Sequence, residues 1–531
     1  MSNTKFGVML DFSRNAVMKI SELKKYCDLL KKFGYNAIYL YLEDTYEIEG
    51  EEHFGHLRGK YSKAELKEID AYCKSINMTV IPCFQTLAHL DQIFKWPKYA
   101  EINDCDNILL CEEEKTYEFI EKMFKTFKEC LSTNIAHIGM DEAFNLGLGK
   151  YLQKHGYTNR NEIMSKHLKR VLEIANKYGY ECTIWSDMFF HPVSKGVLNL
   201  KQVDFNKLDE IKPLIPENVT LCYWDYYNEP EVIYDTYIKM HKYLTDKVCF
   251  AGGLWRWQGF APHNERSIKF TKSAMRDCRK NGVSNVFFTS WGDGGSETSF
   301  YAILPALLCA VEFYNGNENM PSIKAKFKEL TGCDFNAFMK LDKLNTRKHK
   351  YDTECKYDIF NDPFIGLFDY CLDGADDYYK KLTKTLKSAG KHAGEYEYVF
   401  KSASALADLL SVKSEIGIKT RKAYIEKDVE TLKNIANVVY PKIFRKLEAF
   451  LTAFENQWFT ENKPFGFDIQ HLRIGGLKQR LVYCQKTLKR YIAGEIDVIP
   501  ELEEPVLPFT SNDKRVGIIQ YTAISSPSGP Y

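Results

Sequence analysis

Short, continuous apolar runs recur along the first part of the chain, at residues 6–10, 37–42, 79–84, 135–140, 182–185, 219–224, 248–252 and 286–290. They are rich in β-branched and aromatic residues and do not alternate with polar ones. That is the pattern of strands covered on both faces, as in a parallel sheet. Between them lie segments of helical period. Residues 21–33 place Leu23, Tyr26, Cys27, Leu29, Leu30 and Phe33 on one stripe and stop at Gly34. Residues 62–75 open on Ser62-x-x-Glu65, a capping-box pattern. Residues 117–131, 160–178 (before Gly179), 231–244 and 267–280 (before Gly282) follow the same logic. Eight strands, most of them followed by a helix, predict an α/β protein whose residues 1–315 form a (β/α)8 barrel.

The pattern then changes. Residues 315–321, Asn-Gly-Asn-Glu-Asn-Met-Pro, make a turn-rich break. Beyond it, residues 375–386, 396–410, 429–454 and 477–491 carry helical periodicity and strand signals are few. This predicts an α-helical domain over 316–500, followed by an extended, Pro-rich tail over 501–531.

Composition narrows the function classes. Lys and Arg number 72 against 71 Asp and Glu, a net charge of +1, so nothing draws the whole molecule to nucleic acid or an anionic membrane. No apolar run is long enough to span a bilayer. The first residues lack the charged-then-apolar layout of a secretory leader. The 15 cysteines are scattered, without a Cys-x-x-Cys pair, and a reducing, cytoplasmic compartment is expected. His53-x-x-His56 lies in a Gly- and Glu-rich loop and reads as two solvated histidines. No phosphate loop, zinc spacing or serine elbow is found, and no cofactor is expected.

In a barrel of this kind the chemistry lies at the C-terminal ends of the strands. Those ends hold Asp11 and Arg14; Glu43 and Asp44; Gln85 with His89; Asp141 and Glu142; Trp185 and Asp187; Trp224, Asp225, Tyr226 and Tyr227; Trp255, Arg256 and Trp257; and Trp291, Asp293 and Glu297. Five of the seven tryptophans sit there. Indoles interleaved with carboxylates and an arginine suit a sugar, whose apolar faces pack on aromatic rings while its hydroxyls pair with charged groups. The adjacent acids of His137-Ile-Gly-Met-Asp141-Glu142-Ala143 admit two readings. They either complement the dipole of a following helix or are buried for a chemical purpose.

That heptapeptide resembles the signature of glycoside hydrolase family 20, the β-N-acetylhexosaminidases. Leu10-Asp11-Phe-Ser-Arg14-Asn15 is similar to the family's first-strand motif, and Trp291-Gly-Asp293 to its eighth-strand motif. The family's N-terminal α+β domain is not found ahead of Lys5, and the chain resembles a short, intracellular branch with a helical C-terminal extension. A seventh-strand Tyr-x-Asp is missing from residues 251–259, with Trp224-Asp-Tyr-Tyr227 as its nearest replacement. Asp293 stands where the family more often has Glu.

The resemblance implies an exo-acting hydrolase that releases terminal β-linked GlcNAc or GalNAc with retention, through attack by the substrate's own acetamide. Glu142 would be the acid and base, and Asp141 would orient the acetamide. Trp185, Trp224 and Trp291 would wall its methyl group, with Tyr226 donating to its oxygen. Arg14, Asp293 and Glu297 would hold hydroxyls, His89 would support the acids, and Trp255 and Trp257 would add aromatic surface. Two rivals remain at this stage. One is a two-carboxylate glycosidase with Asp225 or Asp293 as nucleophile, and the other is a binding barrel without catalysis.

Overall fold

The computed structural model describes residues 5–190, 205–228, 231–348 and 353–507. Eight strands, β1 (Phe6–Asp11), β2 (Ala37–Tyr41), β3 (Thr79–Cys83), β4 (Ile135–His137), β5 (Glu181–Trp185), β6 (Val219–Trp224), β7 (Val248–Gly253) and β8 (Val286–Ser290), close into a barrel. Every neighbouring pair is parallel, and β8 returns to β1 with Phe6 opposite Val286 and Leu10 opposite Ser290. The predicted α/β barrel is therefore present, followed by an all-helical C-terminal region. Met9, Tyr39, Ile81, Cys222, Cys249 and Phe287 fill its interior, so the lumen is a packed core and the open space lies above it.

Local chemistry explains most boundaries. The helix Ile20–Phe33 ends because Gly34 takes a left-handed φ of 110°. Ser62 and Glu65 form both bonds of a capping box at the start of Lys63–Ser75. The strand predicted over 135–140 stops at His137, because Gly139 (φ 69°) and Met140 (φ 70°) turn into the left-handed region. His53 and His56 both tilt against Trp96, with centroids 4.9 and 5.7 Å apart.

Two helical expectations change. The single helix over 429–454 is broken into Val429–Asn434, a π-turn at Ile435–Val439 and Tyr440–Glu461. Pro441 has no N–H to give and crowds the preceding turn, which the wider π-turn accommodates. The helix expected to begin at Leu477 begins at Phe467 and runs through Gly475 and Gly476 to Ile492. Nothing lies within 4 Å of where either glycine would carry a Cβ. Ion pairs anchor the helix on both sides of this weak point, Arg473 to Glu297 and Arg480 to Asp362. Of the predicted tail, residues 501–507 are described, with a short helix at Pro500–Glu503; the rest lies outside the described residues. Among the described residues, no helix is long and apolar enough to cross a membrane.

The helical region grips the top of the barrel. Met18 and Asn462 form an antiparallel bridge flanked by Lys19 N–H to Glu461 O (2.9 Å) and Lys463 N–H to Val17 O (2.7 Å).

Candidate active site

A cleft of about 510 Å³ opens over the C-terminal ends of the strands, lined by Arg14, Tyr41, His89, Asp141, Glu142, Trp185, Trp224, Tyr226, Tyr227, Trp291 and Asp293. Its two acids ride on a strained loop. Gly139, Met140 and Glu142 all have positive φ, 69°, 70° and 52°, and for the two non-glycine residues such backbone costs of order 1–3 kcal/mol each. The loop is kept there by specific bonds. Met140 N–H donates to Gln85 Oε1 (3.2 Å), Glu142 N–H to Asp187 Oδ2 (3.0 Å), and Trp185 N–H to Gly139 O (3.2 Å). A Cβ on Gly139 would lie 2.0 Å from Gln85 Oε1, so only glycine fits.

The same contacts set the two acids apart. Asp141 Oδ1 accepts from Gln85 Nε2 (2.8 Å), and Oδ2 faces His89 Nε2 at 3.2 Å. Burial would raise the Asp141 pKa, but the facing His89 charge and these bonds hold it below the ordinary aspartate value. Burial would likewise lower His89, but Asp141, with Glu43 and Glu142 behind it, carries it up to about 10. Glu142 Oε2 is 3.7 Å from His89 Nε2, and 40% of its side chain is open to the cleft. Its pKa is pushed up by desolvation and by the like charge of Asp141, against the pull of His89 and Arg14. Adjacent carboxylates are thus driven in opposite directions, one toward the anion and one toward the acid.

Aromatic rings form the walls. Trp291 meets Tyr41 edge-on (4.7 Å, 89°) and lies 6.0 Å from Trp185. Trp224 lies 5.2 Å from Tyr226 and fixes its indole by donating Nε1–H to Asp187 Oδ1 (3.2 Å). In the same lining, Arg14 bonds Ser13 Oγ (2.7 Å) and Glu43, and its Nε lies 4.0 Å from Asp293 Oδ1. Asp293, desolvated in the cleft, has a raised pKa despite Arg14.

Three sequence candidates are not in the lining. Trp255 and Trp257 stack on each other (4.3 Å, 27°) and are 1% and 2% exposed. They form a layer behind Tyr226, whose carbonyl accepts from Trp255 Nε1 (3.1 Å). Glu297 is fully buried between Lys356 (2.8 Å) and Arg473 (3.0 Å) of the helical region. Asp225 accepts from Tyr223 OH, the N–H groups of Tyr227 and Asn228, and Asn228 Nδ2; it too is outside the lining. Sequence reasoning did not single out Tyr41, Tyr227, Gln85 or Asp187 as site residues. The last three lie in strand-end positions, which was the available signal, whereas Tyr41 lies inside an apolar run.

The chain is similar to known proteins over both of its regions. The sequence model described as "Glycosyl hydrolase family 20, catalytic domain" matches residues 6–236, and that described as "Glycoside Hydrolase 20C C-terminal domain" matches residues 334–519. A probable beta-hexosaminidase of Arthroderma benhamiae is 23% identical over 253 residues, 41% of this chain and 38% of the relative. Hexosaminidase D of Bos taurus is 24% identical over 263 residues, 47% of this chain and 69% of the relative. The chain thus spans well under half the length of the fungal relative. The GH20 exo β-N-acetylglucosaminidase of Vibrio harveyi, solved with N-acetylglucosamine, aligns with a TM-score of 0.47 at 14% identity, over 64% of this chain and 59% of that one. On the two sequence models, which together take in the barrel's first strands and the helical region, the chain belongs to glycoside hydrolase family 20.

Proposed function

We propose that this protein is an exo-acting β-N-acetylhexosaminidase that removes terminal β-linked GlcNAc or GalNAc by a retaining, substrate-assisted mechanism. The observation that carries the proposal is the opposed bias of Asp141 and Glu142 at one end of an aromatic-walled cleft. The substrate's acetamide oxygen attacks the anomeric carbon as Glu142 protonates the leaving oxygen, and Glu142 then takes a proton from the water that opens the oxazolinium. Asp141, kept ionised by His89 and Gln85, accepts the acetamide N–H and stabilises the charge that develops on it. Trp185, Trp224 and Trp291 enclose the acetamide, and Arg14 and Asp293 bind ring hydroxyls.

The two-carboxylate alternative is weakened at Asp225, whose oxygens are already taken by four donors. Fifteen free cysteines support a reducing, cytoplasmic setting. The test is hydrolysis of a nitrophenyl β-N-acetylglucosaminide beside the matched β-glucoside. Turnover of the first alone is expected, together with tight binding of a thiazoline analogue. Equal turnover of both, or a stable adduct with a 2-fluoro sugar on Asp293, would overturn it.

A further inference from the structure

We infer that the C-terminal helical region positions the hydroxyl-binding side of the cleft, leaving the acetamide side to the barrel alone. The inference rests on the proposed reading of Arg14 and Asp293 as hydroxyl-binding residues. These residues sit on the loops after β1 and β8, and the helical region grips both.

On the β8 loop, Lys356 Nζ donates to Gly294 O (2.9 Å) and Glu297 Oε2 (2.8 Å). Arg473 Nη1 donates to the same carbonyl (2.9 Å) and to Glu297 Oε1 (3.0 Å). Gln457 Nε2 holds Glu297 O (3.1 Å), and Glu461 takes Ser299 Oγ and the Phe300 N–H (3.0 Å). The Lys356, Glu297 and Arg473 side chains are 4%, 0% and 9% exposed, so screening by water is slight and the geometry is well defined. The loop contains one strained position, Ser296, a non-glycine residue at φ 54°, which lies within the segment these bonds fasten.

On the β1 loop, the strand-like bridge at Met18 and Asn462 fixes the segment after Arg14. Gly466 packs so closely on Asn15 that a Cβ would lie 2.5 Å from its carbonyl oxygen. By contrast, the fastenings of Asp141 and Glu142 described above, Gln85, His89 and Asp187, all come from barrel loops. Lys356 and Arg473 are therefore positioning residues, acting through Glu297 and the carbonyl of Gly294, next to Asp293.

The test is Lys356→Met in the full chain, assayed with nitrophenyl β-N-acetylglucosaminide and its C4 epimer, with amide exchange read over residues 292–299. Expected are a KM raised by about fivefold or more with kcat within about twofold, a changed ratio between the epimers, and faster exchange in the loop. In an Asp293→Ala background the added KM penalty should vanish. A penalty that persists there, or an unchanged KM, overturns the inference, and so does unchanged exchange whatever the activity. If the wild-type chain hydrolyses neither sugar, the functional reading fails on its own and the exchange comparison still decides the positioning role. Should Lys356→Met fail to fold, Arg473→Gln carries the same measurements.

Discussion

Glu142 and Asp141 differ by one position in the chain and by opposite shifts in acidity, and this makes their substitutions distinguishable. Glu142→Gln should lose roughly two to four decades of turnover on substrates with poor leaving groups, and clearly less on nitrophenyl sugars, which need little protonation. A comparison of the two substrate types checks it; equal losses would remove Glu142 from the acid role. The pH profile adds a second prediction. An acid must start protonated, so kcat/KM should fall as pH rises through the raised Glu142 pKa. Removing the neighbouring negative charge makes the Glu142 anion easier to form. In Asp141→Asn the alkaline limb should therefore move to lower pH, beneath a reduced maximum. Trp291→Ala removes one aromatic wall of the cleft and should raise KM by about three- to tenfold, from the loss of ~0.5–1.5 kcal/mol of aromatic packing.

The loop after β4 is where sequence legibility reached furthest and also where it ran out. The residues 135–140 announced a buried strand, and the two acids after it announced a site. The strand's early stop at His137 was not visible, because Met140 is an unlikely residue for a left-handed backbone and is held there by Gln85, more than fifty residues earlier. Tyr41 was hidden for a related reason. Its ring belongs to the core pattern of β2, while its hydroxyl, bonded to Glu43 (3.1 Å) and Gln85 (2.9 Å), belongs to the cleft. Glu297, Trp255 and Trp257 had the right address and the wrong side. Spacing locates a strand end but does not tell which face of a loop looks into the cleft, and Glu297 is turned away by Lys356 and Arg473, 59 and 176 residues distant. Gly139→Ala tests the loop itself. The new methyl must displace Gln85, so Asp141 should lose a bond and turnover should fall by about tenfold or more, with stability lower by about 1–3 kcal/mol. Urea unfolding and steady-state assay of the same preparation separate the two effects.

Across the whole molecule, several buried histidines are kept neutral by the fold. Burial lowers His167, whose Nε2 lies 2.8 Å from Thr86 O, to about 4, and lowers His241 likewise to about 4. Between about pH 6.5 and 4 the unfolded chain binds protons that the folded chain refuses, so these groups make stability fall with falling pH in that window and contribute nothing above it. Replacing His167 with Gln, which can still donate to Thr86 O, should flatten the acid side of a stability-against-pH curve while leaving its neutral value within about 1 kcal/mol. Urea midpoints at a series of pH values measure this, and an unchanged acid slope would show that His167 does not contribute.

The grip of the helical region on the β1 and β8 loops also has a consequence in time. A chain is made from its N-terminus, and its early segments fold while later ones are still being added. All eight strands have been synthesised once Ser290 is in place, but Lys356, Glu461, Gly466 and Arg473 come afterwards, so a barrel that folds as it is made would have the fastenings of Asp141 and Glu142 at hand before those of the loops carrying Arg14 and Asp293. On the proposed roles, the half of the cleft that carries the acids would then be complete first, and the half proposed to bind ring hydroxyls would wait for the last long helix among the described residues, Phe467–Ile492.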